Sequence, residues 1–403
     1  MSELSYLEKL LDGVEVEWLP LGKLGELVRG NGLPKSDFTE SGVPAIHYGQ
    51  IYTFYGLSTE TTKSFVSHET AKKLKKVNSG DVVITNTSEN FTDVGKALVY
   101  LGKEQAVTGG HATIFKLNST IIGKYFAYFT QTDSFANEKR KYSKGTKVID
   151  VSASDMAKII IPIPCPENPE KSLAIQSEIV RILDKFSALT AELTAELSMR
   201  KKQYNYYRDQ LLSFKEDEVE GKRKTLGEIM KMRAGQHISA HNIIERKEES
   251  YIYPCFGGNG IRGYVKEKSH DGEHLLIGRQ GALCGNVQRM KGQFYATEHA
   301  VVVSVMPGIN IDWAFHMLTA MNLNQYASKS AQPGLAVGKL QELKLFVPSI
   351  ERQIYIAAIL DKFDTLTNSI TEGLPREIEL RQKQYEYYRD MLFSFLKPEV
   401  AEA

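Results

Sequence analysis

Apolar positions along the chain fall into two alternating regimes. In residues 16–165 and 216–350 they gather in short runs such as Asp81-Val-Val-Ile-Thr85, His111-Ala-Thr-Ile-Phe115 and Ala300-Val-Val-Val-Ser-Val305. Loops rich in Gly, Asn and Asp separate these runs, a pattern that predicts short buried strands. Helices are predicted around 124–132 and 311–322, and each stretch closes on a Pro-ended apolar strand, Lys158-Ile-Ile-Ile-Pro162 and Lys344-Leu-Phe-Val-Pro348. Between the stretches the period lengthens. From Ile175 the apolar positions run Ile179, Ile182, Phe186, Leu189 and Leu193, alternating steps of four and three that predict a coiled-coil seam. One extra step of four to Leu197 falls inside the tandem Thr190-Ala-Glu-Leu193, Thr194-Ala-Glu-Leu197, a stutter that keeps the seam nearly on one face. It resumes at Tyr204, Tyr207, Leu211 and Phe214. A second seam runs Ile359, Phe363, Leu366, Ile370, Leu374 and Ile378, then Tyr385, Tyr388, Leu392 and Phe395. Gly373 and Pro375 interrupt it. Proline lacks an amide and clashes one turn back, so a kink or break is expected there.

The two regimes are repeated. Ile182-Leu-Asp-Lys-Phe186 returns as Ile359-Leu-Asp-Lys-Phe363, and Lys202-Gln-Tyr-Asn-Tyr-Tyr-Arg-Asp209 returns as Lys383-Gln-Tyr-Glu-Tyr-Tyr-Arg-Asp390. Fainter pairs lie between, among them Leu21-Gly22 with Leu226-Gly227 and Gly109-Gly-His111 with Thr297-Glu-His299. Even Tyr6-Leu-Glu-Lys-Leu-Leu11 resembles Tyr207-Arg-Asp-Gln-Leu-Leu212, as if a ring had been cut at the N-terminus. The expected organisation is an N-terminal helical segment at 1–15, a first globular unit at 16–165, a spacer helix at 166–215, a second unit at 216–350 and a distal spacer helix at 351–403. The fold class is α+β: two pseudo-symmetric units separated by two long antiparallel coiled-coil helices. About 40 residues of helix make a rod of roughly 60 Å.

Composition narrows the function. The chain has 403 residues with 42% hydrophobic and 25% charged, an ordinary globular mix. Its net charge of +1 means that any nucleic-acid binding must come from local segregation of charge. Three scattered cysteines fit a reducing, cytoplasmic location and provide neither a disulfide framework nor a thiolate zinc site. No apolar run approaches the ~20 residues of a membrane span. Gly258-Asn-Gly260-Ile-Arg-Gly263 has dinucleotide spacing, but Tyr264-Val265 follows where a helix would be required, so a tight turn is expected. The pairs His237/His241 and His270/His274 lack a third ligand. No phosphate-binding loop and no Asn/Asp-Pro-Pro-aromatic methyl-transfer segment is present. The expectation is therefore no catalytic residue, no metal and no cofactor on this chain.

What remains is a recognition surface. Lys139, Arg140, Lys141, Lys144 and Lys147 place five cations in nine residues around Thr146 and a central glycine, suited to phosphates. Thr85, Asn86, Ser88 and Asn90 form a polar loop directly after a strand. In the second unit Arg279 and Gln280 stand between a strand and a glycine, with Asn259 and Arg262 on the neighbouring glycine loop. Arginine matches guanine N7 and O6, and glutamine matches adenine N6 and N7.

The duplicated Gln-Tyr-x-Tyr-Tyr-Arg-Asp helices, the Thr-Ala-Glu-Leu tandem, Ile277-Gly-Arg-Gln-Gly-Ala282 with Ala296-Thr-Glu-His-Ala300, and Gly80-Asp-Val-Val-Ile-Thr85 with Gly109-Gly-His111 resemble the specificity subunits of type I restriction–modification systems, in the branch of the EcoR124-type enzymes. The resemblance extends over essentially the whole chain. It implies that each globular unit is a target recognition domain reading one half of a split, asymmetric site in double-stranded DNA. The helices, with Phe186, Leu189, Leu193, Leu197, Tyr204, Tyr207, Phe363, Leu366, Ile370, Tyr385 and Tyr388, would set the gap and dock two modification (methyltransferase) subunits and the restriction subunits. S-adenosylmethionine, ATP and Mg2+ would belong to those partners, and adenine methylation with bacterial defence to the complex. The competing readings are a coiled-coil scaffold and a self-contained DNA methyltransferase.

Overall fold

The structure is a computed structural model that describes residues 6–11, 13–213, 219–258, 260–281, 283–329 and 333–396. Phe214 and Asn259, named above, lie outside the described residues. The chain divides into two compact units, one formed by Met1–Ala191 with Glu379–Ala403 and the other by Glu192–Ile378.

In the first unit, strands β1 (Gly25–Arg29), β2 (Val82–Thr85), β3 (Ala97–Tyr100) and β4 (Ala112–Leu117) stand in the order β1-β4-β2-β3, all neighbours antiparallel. The short strand Ser58–Thr59 extends the sheet beside β3. Val82, Val83 and Ile84 are all buried because both faces of β2 are covered. Val82 and Ile84 pack in the main core with helix α1 (Gly123–Phe129), whereas Val83 faces the other way, onto Leu98, Ile114 and Ile46. This explains why the run is continuously apolar rather than alternating. A second five-stranded sheet lies in the same unit, and the strands Val16–Pro20 and Ile160–Pro164 pair antiparallel to close it.

Helix α2 (Pro169–Leu212) follows, 44 residues long. The second unit then repeats the plan of the first. Strands β5 (Met230–Ala234), β6 (Glu273–Gly278), β7 (Val287–Lys291) and β8 (Ala300–Val305) adopt the order β5-β8-β6-β7, again antiparallel. Helix α3 (Ile311–Ala320) stands where α1 stands, and Gly221–Thr225 pairs with Lys344–Pro348 as the closing ribbon. Strands Tyr253–Gly257 and Gly260–Val265 pair antiparallel as a hairpin, with Gly260 at φ +97°.

The second helical stretch is split into α4 (Ile350–Asn368) and α5 (Gly373–Leu392). Gly373 has φ +75°, and a Cβ there would lie 2.4 Å from the Thr365 carbonyl oxygen, so only glycine fits. Ile370 falls in the break and is 81% exposed; its expected place in a seam is thereby corrected, since the left-handed turn carries it off both helices.

Ile175, Ile179, Tyr204 and Tyr385 are buried as the seam predicts, but around Ile182 and Ile359 it shifts by one position. The driest positions of α2 in the first unit are Ser172, Ile175, Gln176, Ile179 and Leu183, with Ile182 and Phe186 only half-buried. In α4 they are Gln353, Ile356, Ala357, Leu360 and Thr367, with Phe363 and Leu366 half-buried. The strongest burial is against the sheet-bearing domain rather than along a helix-to-helix seam. Leu193 and Leu197 are half-buried and Leu189 is exposed. Among the described residues no helix is long and apolar enough to cross a membrane.

Candidate nucleic-acid interface

Each globular unit sits on its helix through the same set of contacts. In the first, Gln176 on α2 is buried; its Oε1 accepts from the Ile122 amide at 2.9 Å and its Nε2 donates to the Thr120 carbonyl at 3.0 Å. In the second, Gln353 on α4 is buried; its Oε1 accepts from the Asn310 amide at 2.8 Å and its Nε2 donates to the Gly308 carbonyl at 3.3 Å and the Pro348 carbonyl at 2.9 Å. Ile122 and Asn310 are the N-cap residues of α1 and α3. Each glutamine therefore fixes the start of the helix that backs its sheet.

Two turns on, the repeated aspartates add a second set of polar contacts to each unit. Asp184 accepts from Lys124 Nζ at 2.8 Å and from the Tyr128 hydroxyl at 2.7 Å. Asp361 pairs with Arg289 and lies 2.8 Å from His316 Nε2. Burial pushes the Tyr128 hydroxyl far up and lowers the basicity of His316, so neither group carries its own charge at neutral pH.

The repeated tyrosines complete the seat. Tyr204 is buried with its hydroxyl 3.3 Å from His316 Nδ1, and Tyr385 is buried with its hydroxyl donating to Gln131 Oε1. Burial pushes both phenols up to about 12. Arg208 and Arg389 lie over these rings, at 5.8 and 5.7 Å. Tyr388 stacks on Phe186 at 5.0 Å and Tyr207 on Phe363 at 5.5 Å. Tyr206 and Tyr387 remain well exposed, edge-on to their neighbours. The duplicated motif thus has one buried ring, one exposed ring stacked on a phenylalanine and one open ring in both copies.

The basic segment is less uniform than its composition. Lys139 is corrected from a phosphate ligand to an internal strut. It is 4% exposed, its ammonium donates to the carbonyls of Phe91 at 2.8 Å and Val94 at 2.5 Å, and it lies 4.2 Å from the Phe91 ring. Burial lowers it to about 8. Its position as the penultimate residue of helix Asp133–Arg140 turns it inward, onto the 86–95 loop. Arg140, Lys141, Lys144, Thr146 and Lys147 are exposed. Lys141 bonds Glu138 at 2.7 Å, and Lys144 shares Asp155 with Lys158 at 2.9 and 2.8 Å. Those two ammonium groups and the Ser152 hydroxyl hold the Asp155 carboxyl well below the usual carboxylate range.

In the polar loop Thr85 and Asn86 are also corrected: both are fully buried, and neither Thr85 Oγ1 nor the Asn86 amide group has a hydrogen-bond partner among the described residues. The strand continues through them into the interior. Ser88 and Asn90 stay nearer the surface, where Asn90 Oδ1 accepts from the Thr92 amide at 3.0 Å. Arg279 is half-buried, its guanidinium 3.4 Å from the carbonyls of both Leu335 and Glu298. Gln280 and Arg262 are exposed, Gln280 on the strand-end loop and Arg262 on the hairpin beside Gly257.

A family model for the type I restriction modification DNA specificity domain matches the chain twice, over residues 13–199 and 218–380. The chain belongs to this family. It is 66% identical over 389 residues to the EcoprrI specificity subunit of Escherichia coli, covering 92% of this chain and 93% of that one. It is 42% identical over 425 residues to the EcoR124I/EcoR124II specificity subunit of the same organism, covering 99% of each. The fold matches that of a type I S subunit from M. genitalium, with a TM-score of 0.63 at 15% identity over 98% of this chain and 99% of that one. These relatives are specificity subunits, the DNA-recognition component of their systems, and nothing in the comparisons favours a scaffold or a self-contained methyltransferase.

Sequence pattern did not expose the seat glutamines. A polar residue inside an apolar period reads as an interruption, although Gln176 and Gln353 share the spacing of the Ile-Leu-Asp-Lys-Phe repeats and could have been found through it.

Proposed function

We propose that this chain reads a bipartite, asymmetric DNA site, one half with each unit, within a type I restriction–modification complex. The observation that carries the reading is the duplicated seat: two domains with one strand order are held by corresponding Gln, Asp and Tyr side chains on repeated helices. Duplication of a reader accounts for a site of two parts, and separate exposed loops on each unit account for its asymmetry. The exposed Tyr206 and Tyr387 faces suit the docking of two modification subunits, with restriction subunits joining through them. S-adenosylmethionine, ATP and Mg2+ belong to those partners in this reading, which leaves adenine extrusion and methyl transfer to them. Near-neutral net charge makes the lone subunit a weak DNA binder that gains affinity from its partners.

The test is selection from randomised duplex DNA by the assembled modification complex, at two salt concentrations. Two blocks of fixed bases with a constant gap are expected, with affinity falling steeply as salt rises. One contiguous block, or binding indifferent to salt, overturns the reading.

A further inference from the structure

Both units carry a histidine at the same place in the sheet, held in the same way. His111 directly precedes β4 and His299 directly precedes β8, and these are the strands that pair with β2 and β6. The first residue past β2, Asn86, donates its backbone amide to the His111 carbonyl at 2.9 Å; the first past β6, Arg279, donates to the His299 carbonyl at 2.8 Å. The next residue in each loop reaches the imidazole. Thr87 Oγ1 lies 2.7 Å from His111 Nδ1, and Gln280 Oε1 lies 2.6 Å from His299 Nδ1. Both imidazoles are at the surface, His111 exposed and His299 with 38% of its side chain accessible.

The chemistry of this pair of contacts is directional. A carboxamide oxygen only accepts, so His299 Nδ1 must carry the proton it donates to Gln280. In the neutral ring the lone pair is then left on Nε2. The Thr87 hydroxyl can accept equally, and it imposes the same tautomer on His111 when it does. In each unit the second nitrogen is turned away from the loop that fixes the first. Around His299 Nε2 the nearest carboxylate is Glu298, at 3.6 Å and itself bonded to His237 at 2.9 Å. Around His111 the neighbour is the Tyr48 ring, 4.8 Å away and tilted by 44°. The same nitrogen, Nδ1, held from behind at matched positions of two otherwise dissimilar loop sets is more than packing needs: a surface histidine serving only to tie down a loop could hold it with either nitrogen.

We propose that His111 and His299 are specificity-determining residues, one per half-site, each offering Nε2 as an acceptor to the exocyclic amino group of an adenine or cytosine in the major groove. Thr87 and Gln280 are their positioning residues. This rests on the DNA-reading function proposed above. It also reassigns Gln280, which acts on DNA through His299 rather than by its own amide.

The experiment uses the assembled modification complex with wild-type chain, His111→Ala, His299→Ala and the two conservative variants His111→Gln and His299→Gln, on randomised duplex DNA. Assembly with the partners and the thermal transition of each variant are followed in parallel, and both are expected to be unchanged because the rings are at the surface. Each alanine variant is expected to lose preference at one base pair of one half-site only, by about five- to 150-fold, the range of a single good base contact. Glutamine, which carries an oxygen to the reach of Nε2, restores part of that preference. Placing purine for adenine, or 2-pyrimidinone for cytosine, at the affected position weakens wild type by a similar factor and leaves the alanine variant untouched. Equal weakening on every sequence with a shallower salt dependence reassigns the histidines to phosphate and overturns the proposal. Unchanged preference at all positions does so too. If wild type itself selects no bipartite site, the underlying DNA-reading function fails first; selective wild type with indifferent variants sinks the histidines alone.

Discussion

Replacing Gln353 by leucine tests whether the seat holds the second unit together. The substitution keeps the side-chain volume close to that of glutamine and removes three hydrogen bonds, from the Asn310 amide at 2.8 Å and to the carbonyls of Pro348 and Gly308 at 2.9 and 3.3 Å. Each bond contributes about 1 kcal/mol, and a buried donor left without a partner costs about 1–3 kcal/mol. The donor at risk is the amide of the residue that caps α3, so the first turn of that helix loses a fixed origin. Extra apolar surface on leucine returns part of this, about 1–2 kcal/mol. The net expectation is a loss of about 2–4 kcal/mol. For a unit of nearly two hundred residues that lowers the midpoint by roughly 4–16 °C. Calorimetry of the full chain reads it, and amide exchange locates it, with faster exchange over 310–314 and unchanged exchange over 122–126. Gln176→Leu mirrors the effect, leaving exchange over 310–314 unchanged and speeding it over 122–126. A midpoint within a degree of wild type, or exchange that rises equally in both places, refutes the idea that each glutamine serves its own unit.

Two further outcomes follow from the same structure. Because Lys139 falls to about 8 in the folded first unit from an ordinary 10.5, the unfolded chain holds more protons between those values, so this group adds stability as pH rises through that window. Between pH 7.5 and 9.5 the gain is about 2 kcal/mol, and Lys139→Met should remove it; denaturant midpoints with the same pH slope in both proteins would count against a buried ammonium. Deleting Thr194–Leu197 removes four residues, about 6 Å and a net rotation of about 40°, and should shorten the recognised gap while both half-sites keep their bases; altered bases in either half would contradict it.

Much of this architecture was legible before any coordinates. The runs Val82-Val-Ile84 and Ala300-Val-Val-Val303 reported strands because a fully covered strand needs apolar residues on both faces. The break before α5 was legible from Gly373 and Pro375, since backbone rules act locally. Ile175 and Ile179 lie where the seam predicts, but around Ile182 and Ile359 it is one residue off because periodicity finds the apolar stripe of a helix and not which neighbour dries it most; the sheet-bearing domain takes Leu183 and Leu360, leaving Ile182 and Ile359 at its margin. Lys139 and Asn86 were misjudged for a related reason. Polarity is a property of the residue, whereas burial belongs to the folded loop around it. In the sequence His111 and His299 stand out only as repeated letters, because the hydrogen bonds that single them out join positions 24 and 19 residues apart.

The matched mounting of the two readers has an evolutionary consequence. A lineage that exchanges one domain for an unrelated variant needs only to preserve a short helix start, a basic or imidazole partner for the aspartate and a polar group for the tyrosine. The loops that face the ligand can then diverge freely, since none of them takes part in anchoring. New specificities can therefore arise by grafting whole lobes onto an unchanged frame, without refitting the surfaces the rest of the assembly grips.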